Sequence, residues 1–368
     1  MNFISEYKKG QQGDNFGLPM GIEPLEKSLD GIQKKTIYTI ASSPKVGKST
    51  LVDYCFLLSP YLYSLEHSEI EIDWNYYSFE IDRIKKEFKI AAFFMYHDYN
   101  QFSFSWKDGE TYLISPRYLT GRLKDKDGHF IPVSDEHSEM LKKIYSDRIV
   151  PLFGKYSVNG IKMEKGVINF VEQKNNPTGI RNDLLFYAEK NGKFIKEQYQ
   201  TKDENNSFVK RERIVGYIAN NPKKIVINII DHIRLLRLER GYQMKQNIDK
   251  MSQYEVELRN YCNYIFVNVV HLNRSIAAVD RMKYMSASLF PTADDIKDSG
   301  NLSEDSDVII TLFNPNDEKY NLTEHFGYKC KDIPNYRSIH VVESRDTFCP
   351  EHFFCNMYGN VNVFEPLQ

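Results

Sequence analysis

Seven stretches of nearly continuous apolar residues, at 36–41, 74–79, 166–172, 224–230, 264–270, 307–313 and 338–343, give the chain its frame. They are short and do not alternate between apolar and polar positions. That pattern predicts strands buried on both faces of a parallel sheet. Between two of them, Met251, Tyr254, Leu258 and Tyr261 recur at helical spacing and read as one core-facing helix stripe. Strands alternating with helices predict an α/β fold with a mostly parallel, twisted central sheet flanked by helices.

Three regions break the pattern. Residues 95–160 mix Tyr, Phe, Asp, Lys and Gly, with turn sequences at Lys107-Asp108-Gly109 and Asp125-Lys126-Asp127-Gly128. They read as a helix and hairpin elaboration inserted into the main domain. Residues 193–212 are highly polar and read as a surface loop. Residues 1–16 are polar and Gly/Gln-containing, and read as a flexible arm ahead of a single domain at 17–368.

Composition narrows the class. A chain of 368 residues with 41% hydrophobic content, 25 Tyr and 23 Phe can bury a sizeable core. The formal charge of −2 provides no global basic field, so any nucleic-acid contact must be local. The five cysteines are odd in number and none is spaced C-x-x-C. Free thiols in a reducing compartment fit that count better than disulfides or zinc. The apolar runs fall short of the ~18 residues that a membrane span needs, and the N-terminus lacks a signal-peptide core. These features suggest a cytoplasmic protein with no membrane partner. The abundance of Asn, Ile, Lys and Tyr suggests an AT-rich genome, such as that of a virus.

The candidate chemistry begins at Ser42-Ser43-Pro44-Lys45-Val46-Gly47-Lys48-Ser49-Thr50, between the first apolar run and a helix-like stretch. A strand–loop–helix of this kind presents backbone N–H groups and a helix N-terminus to phosphate. Ser43, Pro44, Lys45, Val46, Gly47, Lys48, Ser49 and Thr50 would form the nucleotide cradle. Lys48 would reach the β- and γ-phosphates of ATP, and the Ser49 hydroxyl would bind Mg²⁺. The usual motif opens with Gly where this chain has Ser42. A plain Pro/Gly turn before a capped helix would use the same residues, but the flanking strand and helix favour the nucleotide.

Two carboxylates stand at later strand ends. Asp231 ends the run beginning at Lys224, as a second Mg²⁺-orienting residue should. Its bland alternative is a helix or turn cap. Glu80 follows Ser78 and Phe79, where a carboxylate could polarise the attacking water. Alone it would be a solvated strand-end residue. His271-Leu272-Asn273-Arg274 follows the next strand, and Asp294 to Gly300 forms an Asp-rich segment before another.

In this order the segments resemble the motor domain of DnaB-type hexameric replicative helicases, within the RecA-like P-loop ATPases. Gly17-Leu18-Pro19-Met20-Gly21 with Leu25 and Leu29-Asp30 is similar to that family's opening segment. Asn175-Asn176-Pro177-Thr178-Gly179-Ile180 resembles its strand–turn–helix before the second metal-site strand. The resemblance covers roughly residues 17–345, apart from 95–160. It implies Glu80 as catalytic base and His271 in place of a Gln that senses the γ-phosphate. It implies DNA contacts from Arg274 and from a pore loop carrying Lys297, Asp298 and Gly300. It implies Arg345 as a finger reaching the neighbouring subunit's ATP, with Glu343 where the family has Lys. The implied partners are single-stranded DNA, further copies in a hexameric ring, and primase or other replication proteins. Only the short arm stands where the family has a separate primase-contacting domain. A recombinase-like or repair ATPase forming filaments, and a non-catalytic nucleotide-binding assembly or loader protein, remain alternatives.

Overall fold

A computed structural model describes residues 3–12, 15–156, 162–202, 208–273, 275–296, 300–320 and 322–367. All seven expected strands form, at Ile37–Ser42 (β1), Ile72–Ser78 (β2), Ile168–Val171 (β3), Ile225–Asp231 (β4), Ile265–His271 (β5), Val308–Phe313 (β6) and Tyr336–Ser344 (β7). Two more follow, Glu351–Tyr358 (β8) and Val363–Pro366 (β9). The nine lie in one sheet in the order β9-β8-β7-β6-β1-β5-β4-β2-β3. Pairing is parallel from β6 across to β3 and antiparallel from β6 through β9. In β1 and β4 every residue is buried, which explains their unbroken apolar run.

The interior forms two main apolar clusters, one on each side of the sheet. One contains Tyr38, Phe56, Trp74, Phe94 and Ile229, together with Tyr118, Ile131 and Phe153 from the inserted region. The other contains Tyr77, Ile230, Phe266 and the helix residues Ile180, Met251 and Leu258. The inserted region therefore packs into the main core. It comprises a hairpin, Ser103–Ser105 with Thr111–Leu113, and a helix Asp135–Ile144. Its turns use Gly109 and Gly128 at φ of +83° and +87°, as the turn sequences require.

Helix α1 spans Phe3–Gln12, within the segment read as an arm. Helix α2 is Glu23–Leu29, and α3, Lys48–Asp53, leaves the phosphate-loop segment. Helix α4, Arg83–Tyr99, is capped by Asp82, whose side chain accepts from the Lys85 N–H. Helix α5, Pro177–Asn191, starts with Asn176 accepting from Gly179 N–H and Pro at its first turn. Helix α6, Met244–Cys262, buries the expected Met251 and Leu258, with Tyr254 and Tyr261 half-buried. Helix α7 is Gly300–Asp305.

The reading of 193–212 as a loop is corrected. Gly192–Lys202 and Phe208–Ala219 pair as a long antiparallel hairpin. Most of its residues are exposed, so no apolar face announced it. Five cysteines are free, and all but Cys349 are buried. Among the described residues, no helix is long and apolar enough to cross a membrane.

Candidate nucleotide-binding site

The parallel register brings the candidate residues to one edge of the sheet. Ser42 at the end of β1 lies opposite His271 at the end of β5. Asp231 at the end of β4 lies opposite Ser78 at the end of β2. Glu80 emerges two residues beyond Ser78 and is exposed. Phe79 N–H donates to the Asp231 carbonyl at 2.8 Å, tying the two strand ends together. This carboxyl edge of a parallel sheet is where ligands bind in open α/β folds.

The phosphate-loop segment has the backbone that its sequence demands. Gly47 sits at φ 120°, and its carbonyl accepts from Leu51 N–H at 2.9 Å to open α3. A Cβ there would lie 2.3 Å from Met357 Sδ, so β8 packs directly against the loop. Ser42 is fully buried and its hydroxyl donates to the Ser43 carbonyl at 2.8 Å. Arg337 on β7 donates from Nε to the Val46 carbonyl at 3.0 Å and from Nη1 to Asn314 Oδ1 at 3.1 Å. Pro44 and Lys45 are exposed, Ser43, Val46 and Thr50 are buried, and Ser49 is half-buried.

Lys48 is buried, and its Nζ lies 3.0 Å from His271 Nδ1. Burial pushes the Lys48 ammonium down to about 8, against the opposing pull of Asp231 and Glu80. Burial, reinforced by Lys48, holds the His271 ring down at about 4. A neutral imidazole can therefore accept from the ammonium. His232 stands edge-on to His271 with ring centroids 4.7 Å apart, and burial lowers it to about 4 as well. Two neutral imidazoles and a cation thus face two carboxylates.

Asp231 is 1% exposed, and its Oδ1 has no hydrogen-bond partner among the described residues. Its Oδ2 accepts from the Tyr76 hydroxyl at 3.4 Å. Tyr76 also bonds Asp53, and both meet Lys86 in a fully buried cluster beneath the site. A buried carboxylate oxygen without a donor and a buried ammonium held only by a neutral ring are costly when left alone. A divalent cation at Asp231 and phosphate at Lys48 would supply the missing partners, so the residues fit Mg²⁺ and ATP.

The remaining expected residues lie elsewhere or outside the described residues. Gly300 opens α7, and a Cβ there would lie 3.0 Å from Lys245 Cε on α6. Arg274, Lys297 and Asp298 lie outside the described residues. Arg345 follows β7 beside the start of β6, at the opposite end of the sheet from Lys48 of the same chain. There it pairs with Asp307 Oδ1 at 3.1 Å and donates to the Glu304 carbonyl at 3.3 Å. Glu343 is exposed on the same strand, yet partial burial of its carboxyl and the nearby Asp294 both raise its pKa. Sequence reading missed His232, Arg337 and Tyr76. Adjacency to Asp231 could have signalled His232, whereas Arg337 and Tyr76 act through strand pairings invisible in one dimension.

The fold and its carboxyl-edge site are those of a RecA-like P-loop ATPase. The fold is shared with solved helicase motors. The chain is similar to the solved ATPase domain of a helicase, with a TM-score of 0.64 and 14% identity, covering 99% of this chain and 97% of that one. It is similar to a DnaB-like replicative helicase studied with its primase, with a TM-score of 0.60 and 15% identity, covering 99% of this chain and 66% of that one. No family model and no curated protein matches the sequence.

Proposed function

We propose that this protein is an ATP-hydrolysing, DnaB-like translocase or helicase acting on single-stranded DNA during replication. The observation that carries the reading is the meeting of Lys48, Asp231, Glu80 and His271 at adjacent strand ends. Each has a part in phosphoryl transfer. Lys48 neutralises β- and γ-phosphate charge, and the loop N–H groups hold the triphosphate. Asp231 and the Ser49 hydroxyl hold Mg²⁺, which supplies charge neutralisation between the β- and γ-oxygens. Glu80, exposed at the mouth, orients the attacking water. His271 sits on Lys48 and is placed to register what the lysine binds.

A finger that cannot reach its own site must act on another. Arg345 lies at the far end of the sheet from Lys48, which supports a ring with ATP between subunits and Arg345 supplied in trans. Single-stranded DNA would pass through the centre, gripped by Arg274, Lys297, Asp298 and Gly300. Salt-dependent backbone contacts of that kind need no net positive charge on the chain. Primase remains the natural protein partner for such a ring.

The test has three parts. ATP hydrolysis should rise on adding single-stranded DNA, and a forked duplex should be unwound. Arg345→Ala and Lys48→Ala should each be inactive, but their mixture should regain partial activity at interfaces that pair an intact Lys48 with an intact Arg345. Hydrolysis that ignores DNA overturns the motor reading. A dead mixture in which mixed oligomers demonstrably form overturns the trans finger. ATP binding without any turnover would instead mark a nucleotide-binding assembly protein.

A further inference from the structure

Beneath the site lies a fully buried polar cluster that none of the proposed chemistry uses directly. Asp53, Tyr76 and Lys86 are each 0% exposed. Lys86 Nζ donates to both Asp53 oxygens, at 2.9 and 3.0 Å, and to the Tyr76 hydroxyl oxygen at 2.8 Å. Those three bonds match the three protons of an ammonium group. Lys89 lies 3.6 Å from Asp53 Oδ2 and donates to Thr50 Oγ1 at 3.3 Å. Asp53 is therefore charge-balanced by two lysines.

Tyr76 is placed differently. Its oxygen accepts from Lys86, so its single proton is left to donate. Two carboxylate oxygens compete for it: Asp53 Oδ1 at 2.9 Å and Asp231 Oδ2 at 3.4 Å. Asp53 already holds the donors of Lys86. Asp231 has no other hydrogen-bond donor among the described residues, and its Oδ1 is bare. The phenol rests between a satisfied carboxylate and an unsatisfied one, with Lys86 fixing its position.

We infer that Tyr76 is a positioning residue for the metal-binding carboxylate. Anchored by the Lys86–Asp53 pair, its hydroxyl caps Oδ2 of Asp231 and leaves Oδ1 presented to the cation. This rests on the ATPase reading above, because it takes Asp231 as a Mg²⁺ ligand. Without the cap the carboxylate can rotate about its Cβ–Cγ bond, and the ion meets an unfixed ligand. Outer-layer hydrogen bonds of this kind typically contribute about 10- to 100-fold to metal affinity. Thr50 and Asp53 stand on the helix that leaves the phosphate loop, so the cluster also ties that helix to β2 and β4.

The experiment is a Mn²⁺ titration followed by electron paramagnetic resonance in the presence of ADP, with no turnover required. Tyr76→Phe should raise the half-saturating Mn²⁺ concentration about tenfold. Metal-free ADP affinity should stay at the parent value, a split that a merely structural role would not produce. Equal Mn²⁺ affinities in variant and parent overturn the inference, as does an equal loss of metal-free ADP binding. If the parent itself shows no metal-dependent ADP binding, it is the ATPase reading that fails, taking the inference with it. A second measurement covers a variant that does not fold. With 3-fluorotyrosine at position 76 alone, the fluorine resonance should shift with the same half-saturation as Mg²⁺ binding to the ADP complex. A resonance that does not respond overturns the inference.

Discussion

Replacing Glu255 by Gln should make the protein's stability less dependent on pH, and the size of the effect follows from its surroundings. Glu255 is on α6, fully buried, and its Oε2 accepts from Asn268 Nδ2 at 2.6 Å on β5, three residues before His271. Its Oε1 has no partner among the described residues. Burial raises its carboxyl to about 8, with Asp305 adding to the rise and the Asn268 bond opposing it. An unfolded glutamate titrates near 4.5. The folded state therefore keeps the proton where the unfolded chain has lost it. The stability from this group is fully present below pH 4.5 and is lost as pH rises through about 8. At about 1.4 kcal/mol per pH unit, the loss between pH 4.5 and 7 is about 3 kcal/mol. Glutamine carries the same shape and no titratable proton. The assay is urea unfolding of parent and variant at pH 5, 6, 7 and 8. The difference between them should move in the variant's favour by about 1.4 kcal/mol per pH unit over that range. Any fixed cost of the amide cancels in this comparison. Parallel pH profiles for parent and variant would refute the reasoning.

Four further outcomes are expected. Lys48→Ala should abolish ATP hydrolysis in a phosphate-release assay, and Glu80→Gln should retain nucleotide binding while losing turnover. Gly47→Ala should lose nucleotide binding in fluorescence titration. Adding Met357→Ala should not restore it, because the φ of 120° disfavours a side chain even when the clash is relieved. Arg337→Ala should weaken ATP binding about tenfold by freeing the Val46 carbonyl, consistent with about 1.5–3 kcal/mol for a hydrogen bond to a charged group. Lys86→Met should lower unfolding stability by about 3–5 kcal/mol, since it leaves Asp53 buried beside Lys89 alone.

The parallel core was legible because strands buried on both faces need continuous apolar sequence, and β1, β4 and β6 show it directly. The antiparallel edge was less so. In β8 only Cys355 is buried, so burial imposes no comparable run. The long hairpin at Gly192–Lys202 and Phe208–Ala219 is polar because solvent reaches most of it, and polarity alone reads as loop. In the site, Lys48, Asp231, Glu80 and His271 announce themselves by following apolar runs. Their support does not. Tyr76 reads as one more aromatic in a strand, and Arg337 as one more strand cation. Only strand adjacency puts one beside Asp231 and the other on the phosphate loop.

Strand β7 has an unusual pair of ends. Near its start, Arg337 grips the loop that cradles one nucleotide, and just past its finish stands Arg345. The two are eight residues apart, about 26 Å of extended chain. A strand hydrogen-bonded on both sides, to β6 and β8, resists stretching and moves as a rod. Any shift of the loop on filling or emptying must then slide that rod or break the Arg337 contact. In a ring, each subunit would carry a built-in push-rod from its own fuel chamber to its neighbour's. Firing order around the circle would follow from a length of β-strand, with no separate messenger.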